Sequence, residues 1–237
     1  MIKITKEMIM EEIIRGRALD HYTTLASRET INAIKDETVR EAFNTNGRVD
    51  FALDVPEITD DIDYLRGIII RLREGNSVVS DGSYEFDLDA SDEERQTSDI
   101  YVNITLPRRY EEDYSFMSRL VAELKETFRH ELEHSSQSTE ELMAVQQAVP
   151  DREVWKDLQT AENYYLSGAE VKAHVAGIYK KAKSFKKPAT NVLERVLETI
   201  YSTGLWYEHN PRQLAALMEK IQSRWGNYLF DRYPRAQ

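Results

Sequence analysis

Cysteine is absent from this chain of 237 residues, and glycine and proline are scarce, with 9 and 6 occurrences. The missing thiols exclude disulfides, thiolate zinc ligands, iron–sulfur clusters and cysteine nucleophiles. Any metal site must therefore be built from histidine, aspartate and glutamate. The few glycines and prolines leave little room for a turn-rich all-β fold or a disordered linker.

Basic side chains are also in deficit, because 31 Lys and Arg stand against 42 Asp and Glu, for a net charge of −11. This balance argues against bulk nucleic-acid binding, which needs clustered cations. Long apolar runs are missing too, since the longest is Ile68–Ile70 and a membrane span needs about 18 residues. The first residues contain no apolar stretch as long as that of a signal peptide. We expect a cytoplasmic or virion-associated protein with no membrane partner.

Hydrophobic periodicity predicts an α+β fold, with a small sheet followed by a helical C-terminal half. Helical spacing over residues 5–45 predicts two helices, which the turn residues Asn44–Gly47 close. Alternating or β-branched segments then predict four strands: Val49–Leu53, Gly67–Leu72, Ser83–Leu88 and Asp99–Leu106. The pattern after Pro107 predicts five helices: 112–136, 139–148, 168–183, 189–203 and 211–229.

The starts of three of these helices carry sequence signatures. Ser138–Glu141 and Ser167–Glu170 fit a capping box, and Asn210 precedes a proline at the first helical position. No segment has the composition of a linker. We therefore predict one compact unit, 1–237, made of an N-terminal helical subdomain (1–47), a sheet (48–108) and a helical part with the metal site (109–237).

The predicted helix 112–136 contains His130-Glu131-Leu132-Glu133-His134, a match to H-E-x-x-H. Residues i and i+4 share one helix face, so both imidazoles can bind one ion, and the intervening glutamate can accept a proton from water. The helical angles place Glu131 toward the apolar stripe of this helix and Glu133 on the solvent side. The alternative interpretation is a surface helix with two incidental histidines.

A catalytic zinc site of this kind needs a third protein ligand, for which Glu170 is the favoured candidate. It opens a predicted helix whose small residues, Ala173, Ala176 and Gly177, would allow close packing. Glu170 could instead serve only as the capping residue for Ser167. His174, one turn later, is the alternative third ligand, a hydrogen-bond donor to the transition state, or a surface residue.

Together, the strand Asp99–Leu106, the H-E-x-x-H helix and the helix bearing Glu170-Val-Lys-Ala173 resemble the zincin metallopeptidases with a glutamate third ligand. The second helix is similar to that of small bacterial and phage-borne zincins that cleave regulatory proteins. The resemblance covers residues 99–180. It implies a zincin-like fold in which His130, His134 and Glu170 bind Zn²⁺ and Glu131 is the general base.

The resemblance implies a zinc-dependent hydrolase that cleaves peptide bonds in a protein or peptide substrate. An edge strand would pair with that substrate, and either Asp99–Leu106 or Ser83–Leu88 could serve. A zincin-like binding or virion-structural protein without catalysis is the alternative. The sequence leaves the substrate, the oligomeric state and the oxyanion-stabilising residue open. The candidates for that last role are His174, Tyr164, Tyr165, Tyr179 and His209.

Overall fold

A computed structural model describes residues 6–62, 65–85, 98–110, 115–149, 153–207 and 210–234, with side chains from residue 14 onward. These residues confirm the predicted α+β class, with a small mixed sheet and a helical C-terminal half. The chain divides into two compact units, residues 1–135 and 136–237. The functional organisation as one zincin-like unit, 1–237, stays a prediction.

The first unit contains four helices and four strands in its described residues. The elements are α1 (Lys6–Lys35), α2 (Glu37–Asn46), β1 (Arg48–Ala52), α3 (Pro56–Thr59), β2 (Gly67–Glu74), β3 (Val79–Glu85), β4 (Asp99–Leu106) and α4 (Met117–Ser135). Asp36 separates the first two helices and caps α2, since its carboxylate accepts from Thr38 N–H at 2.9 Å. Gly47 ends α2 with a φ of 67°, a conformation that favours glycine.

The sheet has the strand order β1-β2-β4-β3, with β2 and β4 parallel and the other two pairs antiparallel. The predicted alternation of β4 is confirmed, because every second side chain from Ile100 to Leu106 is fully buried. Strand β2 places its own buried side chains in register beside them: Ile68, Ile70 and Leu72. These two central strands form the apolar face that the unit's core covers.

Helix α4 packs against β3 and α1. Its predicted apolar stripe is confirmed, since Leu120, Leu124 and Phe128 are fully buried in the core that includes the sheet. In the C-terminal half of the helix, residues outside this stripe are buried as well, as far as Ser135. Four of the five residues of the H-E-x-x-H motif are therefore buried and His130 is half-buried, so the interpretation as a surface helix is wrong.

The second unit is helical throughout its described residues. It contains α5 (Thr139–Ala148), α6 (Leu158–Tyr165), α7 (Gly168–Phe185), α8 (Ala189–Trp206) and α9 (Pro211–Arg232). The capping box of Ser138 with Glu141 and the Asn210 cap before Pro211 are both confirmed. Its core gathers apolar side chains of α7, α8 and α9 around the fully buried Trp225.

Three local predictions need correction. β3 begins at Val79, four residues before the predicted Ser83, because Ser80 and Gly82 pair with β4 despite their turn-like composition. The short helix α3 was not predicted, and neither was α6, which the cap residue Asp157 begins. The predicted strand residues 86–88 lie outside the described residues. In the part of the chain that is described, no helix has the length and apolar character that a membrane crossing requires.

Candidate metal centre

His130 and His134 converge on one point beside α4. Their Nε2 atoms lie 3.0 Å apart, with the rings edge to face. Two ligands of a tetrahedral zinc ion are separated by about 3.3 Å, given zinc–nitrogen bonds of about 2.0 Å. The two imidazoles are therefore placed as an ion would need them, with His134 buried and His130 half-buried.

Glu131 lies between this histidine pair and the edge strand β3. Its Oε1 is 4.0 Å from His130 Nε2, close enough for a single water molecule to contact both. The residue is only 4% exposed. Burial of a carboxylate is costly unless a cation or hydrogen-bond donors compensate it, so the position is consistent with a metal ion nearby.

The contact of Glu131 with β3 depends on Gly82. A Cβ at this position would lie 2.8 Å from Cγ and Oε1 of Glu131 and 2.8 Å from Cγ2 of Thr127. The hydroxyls of Ser80 and Thr127 are hydrogen-bonded at 3.0 Å along the same boundary. The close approach at Gly82 was not predicted from the sequence, although a glycine inside a strand often marks a close approach of another segment.

Glu133, the second glutamate of the motif, does not face solvent as the helical angles predicted. It is 8% exposed, and its Oε2 accepts a hydrogen bond from Arg129 Nη1 at 2.5 Å. Arg129 is buried as well, with its Nε 3.5 Å from Asp20 of α1. The prediction failed because α1 covers the face of α4 that would otherwise be exposed, and an arginine makes the burial of Glu133 possible.

In the second unit, Glu170 occupies the third position of α7. Ser167 Oγ accepts from Glu170 N–H at 3.2 Å, which is the serine half of the predicted capping box. The Glu170 carboxylate is buried, and its Oε2 lies 3.4 Å from His174 Nε2, one helical turn later. The backbone of Glu170 thus takes part in the cap, while one carboxylate oxygen is directed at His174.

Aromatic rings surround His174. Its imidazole stacks on Trp225 at 4.6 Å between ring centroids, and Tyr165 and Tyr164 approach at 5.9 and 6.2 Å. Burial raises the pKa of the Tyr165 phenol, so this side chain keeps its proton further into the alkaline range than an exposed tyrosine does. The ring of His174 has a fixed orientation in this environment.

The other candidates for oxyanion stabilisation have separate locations. The rings of Tyr179 and Tyr233 stack with their centroids 3.9 Å apart, so Tyr179 has a packing role. His209 lies outside the described residues. His21 is exposed on α1.

No family model, curated protein or solved structure matches this chain. Histidine and glutamate side chains that could hold a metal ion are present, including the group His130, Glu131 and His134. Imidazole and carboxylate donors without thiolates are the ligands of catalytic rather than structural zinc.

Proposed function

We propose that this protein is a zinc-dependent metallopeptidase of the zincin type, which hydrolyses peptide bonds in a protein substrate. The observation that carries the proposal is the convergence of His130 and His134, with Nε2 atoms 3.0 Å apart, beside a buried Glu131. A buried carboxylate 4.0 Å from one imidazole is the arrangement that a general base for metal-assisted hydrolysis needs.

His130 and His134 would hold Zn²⁺, and we propose Glu170 as the third ligand. Glu170 is supported by its buried carboxylate at the start of α7 and by the sequence resemblance of this helix to the second helix of zincins. When bound, zinc would supply a Lewis acid that polarises the substrate carbonyl and lowers the pKa of a coordinated water toward about 7.

Glu131 is the residue that moves protons. Its Oε1 faces the His130 side of the site, where it accepts a proton from the attacking water. The same oxygen then gives this proton to the amine nitrogen as the peptide bond breaks. The contact with Gly82 and burial in the protein hold the carboxylate in place and exclude bulk water from it.

The strand β3 is the proposed docking edge for the substrate. β4 lies between β2 and β3, so it cannot accept a further strand, and of the two predicted edge segments only the one around Ser83 qualifies. Among the described strands, β3 ends the sheet on the side of Glu131. An extended peptide that pairs with β3 would run alongside the general base.

The substitution Glu131→Gln tests the proposed chemistry, with Glu133→Gln as the matched control two residues along the same helix. Loss of the general base should lower hydrolysis about 10²- to 10⁴-fold. Zinc content should stay near one ion per chain. Glu133→Gln should weaken the Arg129 ion pair and lower stability, while the folded protein keeps its activity.

The measurement is cleavage of a proteome-derived peptide library, with the zinc content of each variant determined in parallel. Full hydrolysis by zinc-loaded Glu131→Gln would contradict the mechanism. Zinc binding without any cleavage that depends on Glu131 would instead favour a zincin-like binding or virion-structural protein. A wild-type chain that binds no zinc would refute the metal site itself.

A further inference from the structure

We propose that Asp81 of β3 selects substrates that carry a lysine or arginine close to the cleaved bond. The inference rests on the proposed function and deepens it, because it names the class of peptide that the docking edge accepts. The residues that carry it all belong to the first unit, in which β3 packs against α4.

The two faces of β3 have different surroundings. Gly82 lies against Glu131 of α4. Ser80, on the same face, is hydrogen-bonded to Thr127 of that helix. Successive side chains of a strand point to opposite faces, so Asp81 points to the other face of the sheet. Its side chain is exposed there, where a docked peptide can reach it.

Asp81 ends a row of paired residues that crosses this open face. Asp50 of β1 pairs with Arg71 of β2. Arg71 pairs with Asn103 of β4, and Asn103 pairs with Asp81. The backbones of Arg71 and Asp81 are thus two strand spacings apart, about 10 Å. The Arg71 guanidinium is directed elsewhere, since its Cζ lies 4.0 Å from the centroid of the Tyr101 ring. The next member of the row is the substrate residue that docks opposite Asp81.

The charge of Asp81 determines which residue suits that position. Within the part of the chain that the structure describes, no hydrogen bond or ion pair involves its carboxylate. Asp50, the exposed acid at the other end of the row, is paired with Arg73. Opposite charges directly across two strands attract, and like charges repel. A lysine or arginine opposite Asp81 therefore provides the complementary charge, and the net charge of −11 attracts basic peptides from a distance.

Strand geometry also gives the position of this basic residue in the substrate. The substrate residue opposite Gly82 points its side chain toward α4, where Glu131 is the proposed general base. The bond that Glu131 serves lies at or next to that residue. The residue opposite Asp81 is its neighbour in the substrate chain, so the basic side chain lies within about two positions of the cleaved bond.

Cleavage of a synthetic peptide library tests the inference, with Lys, Arg, Asp and Glu equally frequent at every position. For the full-length, zinc-loaded wild type, we expect the basic residues to exceed the acidic ones roughly 2- to 20-fold at one position near the cleaved bond. Because the preference is electrostatic, added salt should weaken it. Asp81→Asn should abolish the preference, and Asp81→Lys should reverse it. The control Asp54→Asn, which removes an exposed carboxylate beyond the end of β1, should retain it.

Charge reversal also separates substrate selection from a protective role of Asp81. A charge on an edge strand hinders aggregation whichever its sign, whereas selection depends on the sign. A soluble Asp81→Lys that keeps the wild-type preference would overturn the inference and leave the peptidase intact. A wild-type profile without basic enrichment, or an Asp81→Asn profile like that of the wild type, would do the same. A wild type that cleaves no peptide, or cleavage that persists in Glu131→Gln, would refute the proposed function and this inference with it.

Discussion

At the scale of single residues, Glu131 and Glu133 show how neighbours give two glutamates of one motif different roles. Both are buried and are separated only by Leu132. Glu133 faces Arg129, which neutralises it, whereas Glu131 faces Gly82 and the His130 side of the site. One carboxylate is therefore paired with an arginine of its own helix, and the other lies beside the candidate metal ligand His130, where we propose it as the general base.

Gly82 should determine the position of Glu131 in the site. A methyl group at this residue would lie 2.8 Å from Glu131 and Thr127, so Gly82→Ala must push β3 away from α4 or displace the Glu131 carboxylate. We expect a stability loss of roughly 1–3 kcal/mol from overpacking. Turnover should fall while the zinc content is unchanged, as measured by urea denaturation, metal analysis and peptide-library cleavage.

Gly226→Ala provides the control for this substitution, since a Cβ at Gly226 in α9 meets nothing within 4 Å. Alanine in a helix interior should stabilise the protein by about 0.5–1 kcal/mol and leave turnover alone. If Gly82→Ala matched Gly226→Ala in both respects, the close approach of β3 to Glu131 would have no functional role.

At the scale of secondary-structure elements, an ion pair between the buried Arg129 and the partly exposed Asp20 connects α4 with α1. Arg129 of α4 donates to Glu133 on its own helix and lies 3.5 Å from Asp20 of α1. Buried pairs of this kind contribute little net stability over apolar residues, but removal of one partner leaves the other charge uncompensated. The arrangement thus aligns α1 and α4 at the level of the H-E-x-x-H motif.

The substitution Arg129→Met tests how far the stability of the protein depends on the ion pairs of Arg129. Glu133 would remain buried without its guanidinium partner, and the free energy of unfolding should fall by about 3–5 kcal/mol. Adding Glu133→Leu should recover most of the loss, because an apolar pair avoids the desolvation of charge. Urea denaturation of both variants provides the measurement, and a loss below about 1 kcal/mol in Arg129→Met would show that the pair is dispensable.

At the scale of the whole molecule, two compact units each carry their own apolar core. The first combines the sheet with α1 and α4, and the second consists of helices around Trp225. Each unit contributes one i,i+4 pair of candidate ligands, His130 with His134 and Glu170 with His174.

Bound zinc should stabilise the folded state of the protein. A ligand at 100 times its Kd adds about 2.7 kcal/mol to the stability of the folded state. For a chain of this size, that corresponds to a rise in Tm of roughly 5–10 °C. Differential scanning calorimetry with zinc and with EDTA measures the difference.

His134→Ala should abolish the dependence of Tm on zinc, whereas His21→Ala should preserve it, because His21 is exposed on α1. A wild-type Tm that is identical with zinc and with EDTA would speak against a metal site of useful affinity.

Much of the fold could be predicted because its helices and strands have regular hydrophobic patterns. The strand β4 and the apolar stripe of α4 follow from periods of two and 3.6 residues, which depend only on local backbone geometry. Short or polar elements could not be predicted in this way. α6 is only eight residues long, and β3 begins with polar residues that form a strand because β4 provides its pairing partner.

In the candidate site, too, local sequence patterns could be predicted and tertiary contacts could not. The missing cysteine restricts a metal site to histidine and carboxylate ligands, and the spacing of H-E-x-x-H brings two imidazoles together on one turn of any helix. The sequence by itself therefore determined the α+β class, the chemistry of the ligands and the identities of His130, Glu131 and His134 as candidates.

Only the tertiary structure decided the surroundings of these residues. Periodicity reports one face of a helix, but it does not show which other segment covers the remaining faces. The burial of Glu133 against Arg129, the contact of Gly82 with Glu131, and the stack of His174 on Trp225 join residues 4, 49 and 51 positions apart in the chain. The last two separations along the sequence exceed any helical or strand period, so these contacts form only when the chain has packed.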